Sequence, residues 1–202
     1  MTVILKHLAG IYTGFTIRES ISYLAHGDIK LLQSKDLPKD TPVIDSSQLT
    51  HIDWRYDSEP NYLKNGSVVL LARGEPEAYV FKGDESDQVI VGHIFIVINL
   101  KADTINPDYL AWYINHSSLA KQHFEINSKG VMLSMTSIST VRDLPLVIPT
   151  IQEQQEILDR HQQAYDEAQT FKKLTKLRQE YNQAFNEQLL DTVQKRQSDS
   201  NN

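Results

Sequence analysis

The feature that most constrains the fold is the absence of glycine and proline from Ile151 to Asn202. Just before this stretch, Leu144–Ile148 is a short apolar run interrupted by proline, which favours an edge strand or extended segment. Pro149 disfavours helix immediately before it. Thr150 is an N-cap type of residue, and Glu153 follows at the spacing of a capping box. The sequence therefore predicts that a globular part ends here and one long helix begins.

An apolar seam follows the predicted helix, which extends to about Val193. Ile151, Leu158 and Tyr165 are spaced seven residues apart, with Gln154, His161 and Ala168 between them, and the register shifts after Ala168. At ~1.5 Å per residue the helix measures about 60 Å, more than the diameter of a domain of this size. Packing back onto its own domain is the alternative, but we predict a partner helix in a short, imperfect coiled coil. The predicted partner contacts are Ile151, Leu158, Tyr165, Ala168, Phe171, Leu174, Tyr181 and Phe185.

Length and composition fit one globular domain with an appendage. The chain has 202 residues, of which 40% are hydrophobic, and a formal net charge of −6. An acidic chain is not expected to coat nucleic acid independently of sequence, although specific binding needs only one basic face. The absence of cysteine excludes disulfides and thiolate zinc sites. We find no apolar run long enough to span a membrane and no signal peptide, so a cytoplasmic protein is expected.

Local patterns predict a mixed α+β, largely β globular part. Asn65-Gly66 is a turn signal before a buried strand at 68–72, and further strands are expected at 78–81 and within 89–100. Residues 33–62 are polar and predict the longest irregular region. Asn106 and Pro107 mark the start of a helix that is expected to run to about Phe124.

The sequence contains no recognisable catalytic motif. Neither a glycine-rich phosphate loop nor a GxSxG pattern occurs, and no set of histidines and carboxylates has the spacing of metal ligands. We therefore predict a protein that is not an enzyme and that holds no cofactor or metal of its own.

The segment at the joint also carries a family resemblance. Leu144-Pro145-Leu146-Val147-Ile148-Pro149-Thr150-Ile151-Gln152-Glu153-Gln154-Gln155-Glu156-Ile157 resembles the end of a target-recognition domain in the DNA specificity subunits of type I restriction–modification systems. In that family the segment leads into a coiled-coil helix. Thr150 stands where the family has a second proline, and Ser67 stands where it has aspartate. One such domain is found, whereas full-length members usually have two, so the resemblance implies a half-length subunit.

The resemblance implies a division of the chain and a set of partners. Residues 1–149 would form the DNA-binding domain, residues 150–196 a dimerisation and spacer helix, and residues 197–202 a disordered tail. The expected partners are double-stranded DNA, methyltransferase subunits and, through them, the restriction subunit. The helix would form a homodimer or pair with another specificity subunit. S-adenosylmethionine would belong to the methyltransferase.

Two polar loops and one strand end contain the residue types that read DNA. Arginine and amide side chains read bases, whereas lysine and hydroxyl groups contact phosphates. Each of these residues, considered singly, could equally be ordinary solvated surface. The predicted DNA-binding residues are Gln48, Thr50, His51, Trp54, Arg55, Tyr56, Arg73, Asn127, Ser128, Lys129, Ser134, Thr136 and Ser137.

A different class of function remains open. The chain could be an interaction-only decoy or remnant that binds methyltransferase or another specificity subunit without useful DNA reading. It could also be a fragment of a fused methyltransferase–nuclease, in which case catalytic motifs would appear in the same or a neighbouring reading frame.

Overall fold

The computed structural model describes residues 2–16, 27, 29–38, 41–54, 59–128 and 135–199. The chain divides into two compact units, Met1–Glu156 and Ile157–Asn202. The first unit contains the sheets and the short helices, and the second is formed by helix α4 (Ile151–Asp199), whose first residues belong to the first unit. The predicted α+β class with a long C-terminal helix is confirmed.

The larger sheet of the first unit has five strands in the order β2-β9-β6-β7-β4. These are β2 (Ala9–Thr13), β9 (Phe95–Leu100), β6 (Val68–Leu71), β7 (Glu77–Phe81) and β4 (Val43–Ile44). Neighbouring strands are antiparallel, except that β4 is parallel to β7. The strands predicted at 68–72 and 78–81 are confirmed as β6 and β7.

A second sheet has the order β5-β3-β8, formed by β5 (Thr50–Ile52), β3 (Ile29–Leu32) and β8 (Val89–Val91). The prediction of an irregular region at 33–62 was wrong in part, because β4 and β5 both lie within it. Both are only two or three residues long and pair with strands that are not their sequence neighbours. Their local sequence therefore carries little strand signal. The main core contains Leu32, Ile44, Leu49, Leu63, Val69, Tyr79, Phe81, Val89, Val91, Phe95 and Val97.

The predicted helix after Asn106 is two helices. The Asn106 side chain accepts a hydrogen bond from the Asp108 amide at 2.9 Å, so the predicted cap is confirmed. Helix α1 (Pro107–His116) is followed by Ser117, whose backbone is extended. Helix α2 (Ser118–Ser128) begins at the next residue. The expectation of one helix to Phe124 was wrong, because a single extended residue breaks the helix without glycine or proline.

The extended segment before the long helix is confirmed as an edge strand. Strand β10 (Pro145–Val147) pairs antiparallel with β1 (Thr2–Ile4) in a two-stranded sheet. Two tyrosines of α1 donate to its carbonyl oxygens: Tyr109 to Val147 at 2.9 Å and Tyr113 to Pro145 at 3.0 Å. Proline is tolerated here because an edge strand leaves backbone donors unpaired. A short helix, α3 (Ile138–Arg142), precedes this strand.

The first turn of α4 is fixed to the first unit by its cap and by one buried glutamine. The Thr150 amide donates to the Glu153 carboxylate at 2.8 Å, and the Glu153 amide donates to the Thr150 hydroxyl at 3.3 Å, which confirms the capping box. The Thr150 hydroxyl and the Thr150 amide both donate to the Glu153 carboxylate, and they lower the pKa of Glu153. Gln154 has no exposed surface. The sequence pattern placed Gln154 on the exposed seam of the helix. That placement was wrong, because the Gln154 side chain is buried inside the first unit.

The second unit is a single helix whose described side chains are all exposed from Asp159 to Gln197. The predicted disordered tail at 197–202 overlaps the last helical residues, since α4 ends at Asp199, and residues 200–202 lie outside the described part. The domain boundaries derived from the resemblance stay a prediction. None of the described helices combines the length and apolar character required to cross a membrane.

We expect Gly14→Ala to destabilise the first unit by roughly 2 kcal/mol or more. A Cβ atom at Gly14 would lie 2.2 Å from the carbonyl oxygen of Gly92, a backbone atom that cannot yield without moving the strand. Gly92→Ala is the matched control, because its Cβ would meet nothing within 4 Å. Thermal unfolding of both variants tests this. Equal melting temperatures would contradict the close approach of the two backbones.

Candidate nucleic-acid interface

Arg73 lies at one end of the five-stranded sheet, two residues after the end of β6. The Ala72 amide donates to the Ile94 carbonyl at 2.9 Å, and the Ala72 carbonyl accepts from the Thr136 amide at 2.7 Å. Arg73 itself forms an antiparallel bridge with Met135. The backbone of Arg73 is thus held between two other segments. We call this end of the sheet, formed by Arg73, Gly92–Phe95 and Met135–Thr136, the Arg73 edge.

The charge of Arg73 is available at this edge. Arg73 is exposed, and its guanidinium forms no hydrogen bond or ion pair within the part of the chain that the structure describes. Arg142, by contrast, donates to the Ile11 carbonyl at 3.1 Å. An exposed guanidinium on a fixed backbone is suited to a phosphate or to the O6 and N7 acceptors of guanine.

The turn Gly92–Phe95 connects β8 of the smaller sheet with β9 of the larger sheet. The Phe95 amide donates to the Gly92 carbonyl at 3.0 Å and closes the turn. The segment after β2 lies against it: the Gly14 amide donates to Phe95 at 3.0 Å and the Phe15 amide to Val91 at 2.9 Å. His93 is exposed at the tip of the turn. This turn therefore places one histidine directly before Ile94, whose carbonyl accepts from the Ala72 amide next to Arg73.

Trp54 adjoins this turn through Phe15. The two rings meet edge to face with centroids 4.9 Å apart. Both rings pack over a second apolar cluster, which contains Ile29, Leu31, Ile52 and Ile90. Trp54 therefore has a packing role that the DNA-binding prediction did not include. Its side chain is partly buried, and the rest of the ring faces solvent.

The structure brings three predicted DNA-binding residues to one region. Arg73 and Thr136 belong to the Arg73 edge, and Trp54 adjoins it through Phe15. The edge also has acidic neighbours, because Glu77 at the start of β7 pairs with Leu71 at the end of β6. A surface of mixed sign is suited to a limited number of directed contacts rather than to general attraction of DNA.

Other predicted residues lie in the smaller sheet. Thr50 and His51 belong to β5, opposite Leu31 and Lys30 of β3. The His51 Nδ1 atom lies 3.1 Å from the Gly27 carbonyl, so one ring nitrogen already has a partner. Gln48 ends the short 3-10 turn before β5 and is exposed. The sequence placed these residues in an irregular loop, and the structure places two of them on a strand.

The second predicted loop begins and ends with residues that have local structural roles. Asn127 on α2 donates to the His123 carbonyl at 2.7 Å. Ser137 is the N-cap of α3 and accepts from the Thr140 amide at 3.0 Å. A role in DNA binding stays a prediction for both. Residues that lie outside the described part are Arg55, Tyr56, Lys129 and Ser134, together with the side chain of Ser128.

Sequence reasoning missed two residues of the Arg73 edge. His93 lies within an apolar run that was assigned to strands, and Gly92 beside it was the available signal for a turn. Met135 is 48% exposed, and nothing local marks it, because only the bridge to Arg73 places it at this edge.

The predicted seam of α4 presents a second surface. Phe171 is 67% exposed and Tyr181 is 68% exposed, unusual values for large aromatic side chains. Tyr181 stacks on Phe185 with ring centroids 6.4 Å apart. Ile151, Tyr165, Ala168 and Leu174 are also exposed, whereas Leu158 is half-buried. The seam residues of the second unit are available to a partner, and their assignment as contacts stays a prediction.

The chain is similar to known proteins of one kind. A family model for the type I restriction modification DNA specificity domain matches residues 2–179. No curated protein sequence matches the chain significantly.

Two solved structures have a similar fold. One was determined for the structural basis underlying complex assembly and conformational transition of the type I R-M system. Its TM-score is 0.59 and its sequence identity is 16%. The match covers 83% of this chain and 39% of the other chain. The other is the crystal structure of the HsdS subunit from Thermoanaerobacter tengcongensis, with a TM-score of 0.56 and 14% identity over 82% and 38%. The chain thus spans about two fifths of the length of these relatives. Because the family model extends over most of the sequence, the chain belongs to the type I restriction modification DNA specificity domain family.

Proposed function

We propose that this chain recognises one half-site of a DNA target for a type I restriction–modification system. The observation that supports this most directly is the Arg73 edge in a chain of this family. An exposed arginine, which has no hydrogen-bond or ion-pair partner among the described residues, lies on a fixed strand end beside the Met135–Thr136 segment. Sequence is read by side chains that reach base edges, and a rigid strand end positions such side chains better than a free loop does.

The chain would act without catalysing a reaction itself. Methyl transfer would be performed by methyltransferase subunits that use S-adenosylmethionine, and the restriction subunit would join through them. Helix α4 would recruit these partners, because its middle exposes large apolar side chains such as Phe171 and Leu174. Purified chain alone is therefore expected neither to methylate nor to cleave DNA.

Co-purification with the cognate methyltransferase tests this function. We expect the complex, but not the methyltransferase alone, to bind and methylate one DNA sequence selectively. A complex that assembles normally but binds all sequences alike would instead indicate an interaction-only protein. Methyl transfer by highly purified chain alone would contradict the non-catalytic role.

Arg73→Ala should weaken DNA binding and leave folding intact. If Arg73 contacts a phosphate, affinity falls alike for all sequences and the salt slope flattens by about one unit; if it reads a base, discrimination at one position falls by roughly 1–3 kcal/mol. Lys101→Ala is the matched control, since Lys101 follows β9 at the opposite end of the sheet. Binding isotherms at several salt concentrations measure both variants. Equal DNA affinities for the two variants would show that the Arg73 edge does not contact DNA.

A further inference from the structure

One row of side chains along β6 leads from the main core to Arg73. Because side chains alternate between the faces of a strand, Val69, Leu71 and Arg73 lie on one face of β6 and its extension. Val69 is fully buried and Leu71 packs on the same core, whereas Arg73 is exposed. Ala72 faces the other way and has no exposed surface. Arg73 is therefore the side chain at which this row leaves the core.

Met135 lies directly opposite Arg73 in the antiparallel bridge. The Thr136 amide donates to the Ala72 carbonyl at 2.7 Å, so the hydrogen bond flanks the bridge. Arg73 and Met135 therefore form a non-hydrogen-bonded pair. In such a pair the two side chains project from the same face, with Cβ atoms about 5 Å apart. The backbone thus presents one forked cation and one apolar side chain together.

The exposure of Met135 distinguishes it from the other apolar side chains of the sheets. Met135 is 48% exposed, although methionine is a residue that is often fully buried. In the described part of the first unit, the other exposed large apolar side chains are Leu119, Ile126 and Ile151, and all three lie on helices. One exposed apolar side chain is ordinary by itself. Its fixed position opposite an exposed arginine gives Met135 a specific chemistry.

We propose that Met135 contacts the C5-methyl group of a thymine next to a guanine that Arg73 reads. In the major groove, guanine presents two acceptors that match a guanidinium, and thymine presents an apolar methyl group. Neighbouring base pairs are about 3.4 Å apart along the duplex. Two side chains whose Cβ atoms are about 5 Å apart therefore reach adjacent base pairs. This inference rests on the proposed half-site recognition and names the bases that the Arg73 edge reads.

The surroundings of the pair favour a base edge over a phosphate as the target of Arg73. The thymine methyl group gives Met135 an apolar partner, whereas a phosphate oxygen does not. Glu75 and Glu77 follow Arg73 closely in the sequence, and both are exposed. Carboxylates repel a phosphate more strongly than they repel the uncharged edge of a base. Charge and apolar surface at this edge therefore both select the groove.

Deoxyuridine substitution tests the methyl contact, because deoxyuridine is thymidine without the C5-methyl group. The probe is the duplex that the full chain with its methyltransferase selects from randomised DNA, with each thymine replaced in turn. Burial of one methyl group changes an affinity by about fourfold. We expect one such replacement, beside a guanine, to weaken binding of the wild-type complex by about fourfold. The same replacement should leave the affinity of the Met135→Ala complex unchanged.

Three further variants separate this contact from a general loss of folding or binding. Met135→Leu keeps an apolar side chain and should retain the sensitivity to deoxyuridine. Leu119→Ala removes a side chain of the same 48% exposure from α2 and should bind as the wild type does. Arg73→Ala should lose the preference for the guanine next to the sensitive thymine. The deoxyuridine series with the unmodified chain requires no variant, so it tests the contact even if a substitution prevents folding.

Three results would overturn the proposal. The first is a wild-type complex that binds equally well with deoxyuridine at every thymine beside a guanine. The second is an equal loss of affinity on deoxyuridine replacement for the wild type and Met135→Ala, since a direct contact requires the two changes to be coupled. The third is a sensitive thymine that is not adjacent to the guanine on which Arg73 acts. A complex that selects no sequence at all would instead contradict the proposed function itself, so the two failures are distinguishable.

Discussion

Gln154→Ala is expected to lower the free energy of unfolding of the first unit by about 2–4 kcal/mol. The Gln154 amide nitrogen donates to the carbonyls of Thr104 and Pro149, both at 2.9 Å, and its oxygen accepts from the Asn106 amide at 2.8 Å. The side chain is fully buried. Its removal leaves one amide and two carbonyls without their partner, and each buried unsatisfied group costs about 1–3 kcal/mol unless water enters the cavity.

Urea unfolding followed by tryptophan fluorescence measures this loss. Both tryptophans of the chain, Trp54 and Trp112, lie in the first unit, so the signal reports on that unit alone. Gln152→Ala is the matched control, because Gln152 is exposed and its side chain donates to the exposed Glu156 carboxylate at 3.4 Å. We expect the control to change stability by less than about 0.5 kcal/mol. Similar losses for both variants would show that the buried hydrogen bonds of Gln154 do not stabilise the unit.

The DNA target of the assembled system is expected to be an inverted repeat with a non-specific spacer. If two copies pair about a two-fold axis, both present the same recognition surface, and the axis inverts one copy relative to the other. Each copy then reads the same bases on opposite strands. Sequencing that detects methylated bases, applied to cells that express the chain with its methyltransferase, reveals the site directly. An asymmetric site would show that a different specificity chain is the partner.

Helix length should set the spacer of that site. Helix α4 is continuous from Ile151 to Asp199, and deletion of the seven residues 159–165 preserves the phase of the seam while removing about 10 Å of helix. We expect the spacer to change by a few base pairs. Deletion of residues 190–196, close to the C-terminal end of α4, is the control and should leave the spacer unchanged. An unaltered spacer in both variants would show that helix length does not set the spacer.

Several local features of the fold could be predicted from the sequence because their causes lie within a few residues. The Thr150–Glu153 capping box and the Asn106 cap each join groups two or three residues apart. The turn at Asn65-Gly66 requires a positive φ, which Gly66 adopts at +82°. The long helix follows from the absence of breaking residues after Pro149. For the candidate site, the same reasoning identified Arg73 as a strand-end residue.

Only the tertiary structure decided which segments meet. Strand β5 is a strand because β3 pairs with it, and Met135 reaches Arg73 because two backbones pair across a long stretch of sequence. Gln154 looked like a seam position because the helical period alone does not show which turns of a helix are covered by another part of the chain. Pairing partners and burial depend on contacts between distant residues, and a local pattern does not encode them. The sequence by itself therefore determined the two helix caps, the Asn65-Gly66 turn and the long helix, and the tertiary structure determined β4, β5 and the Arg73 edge.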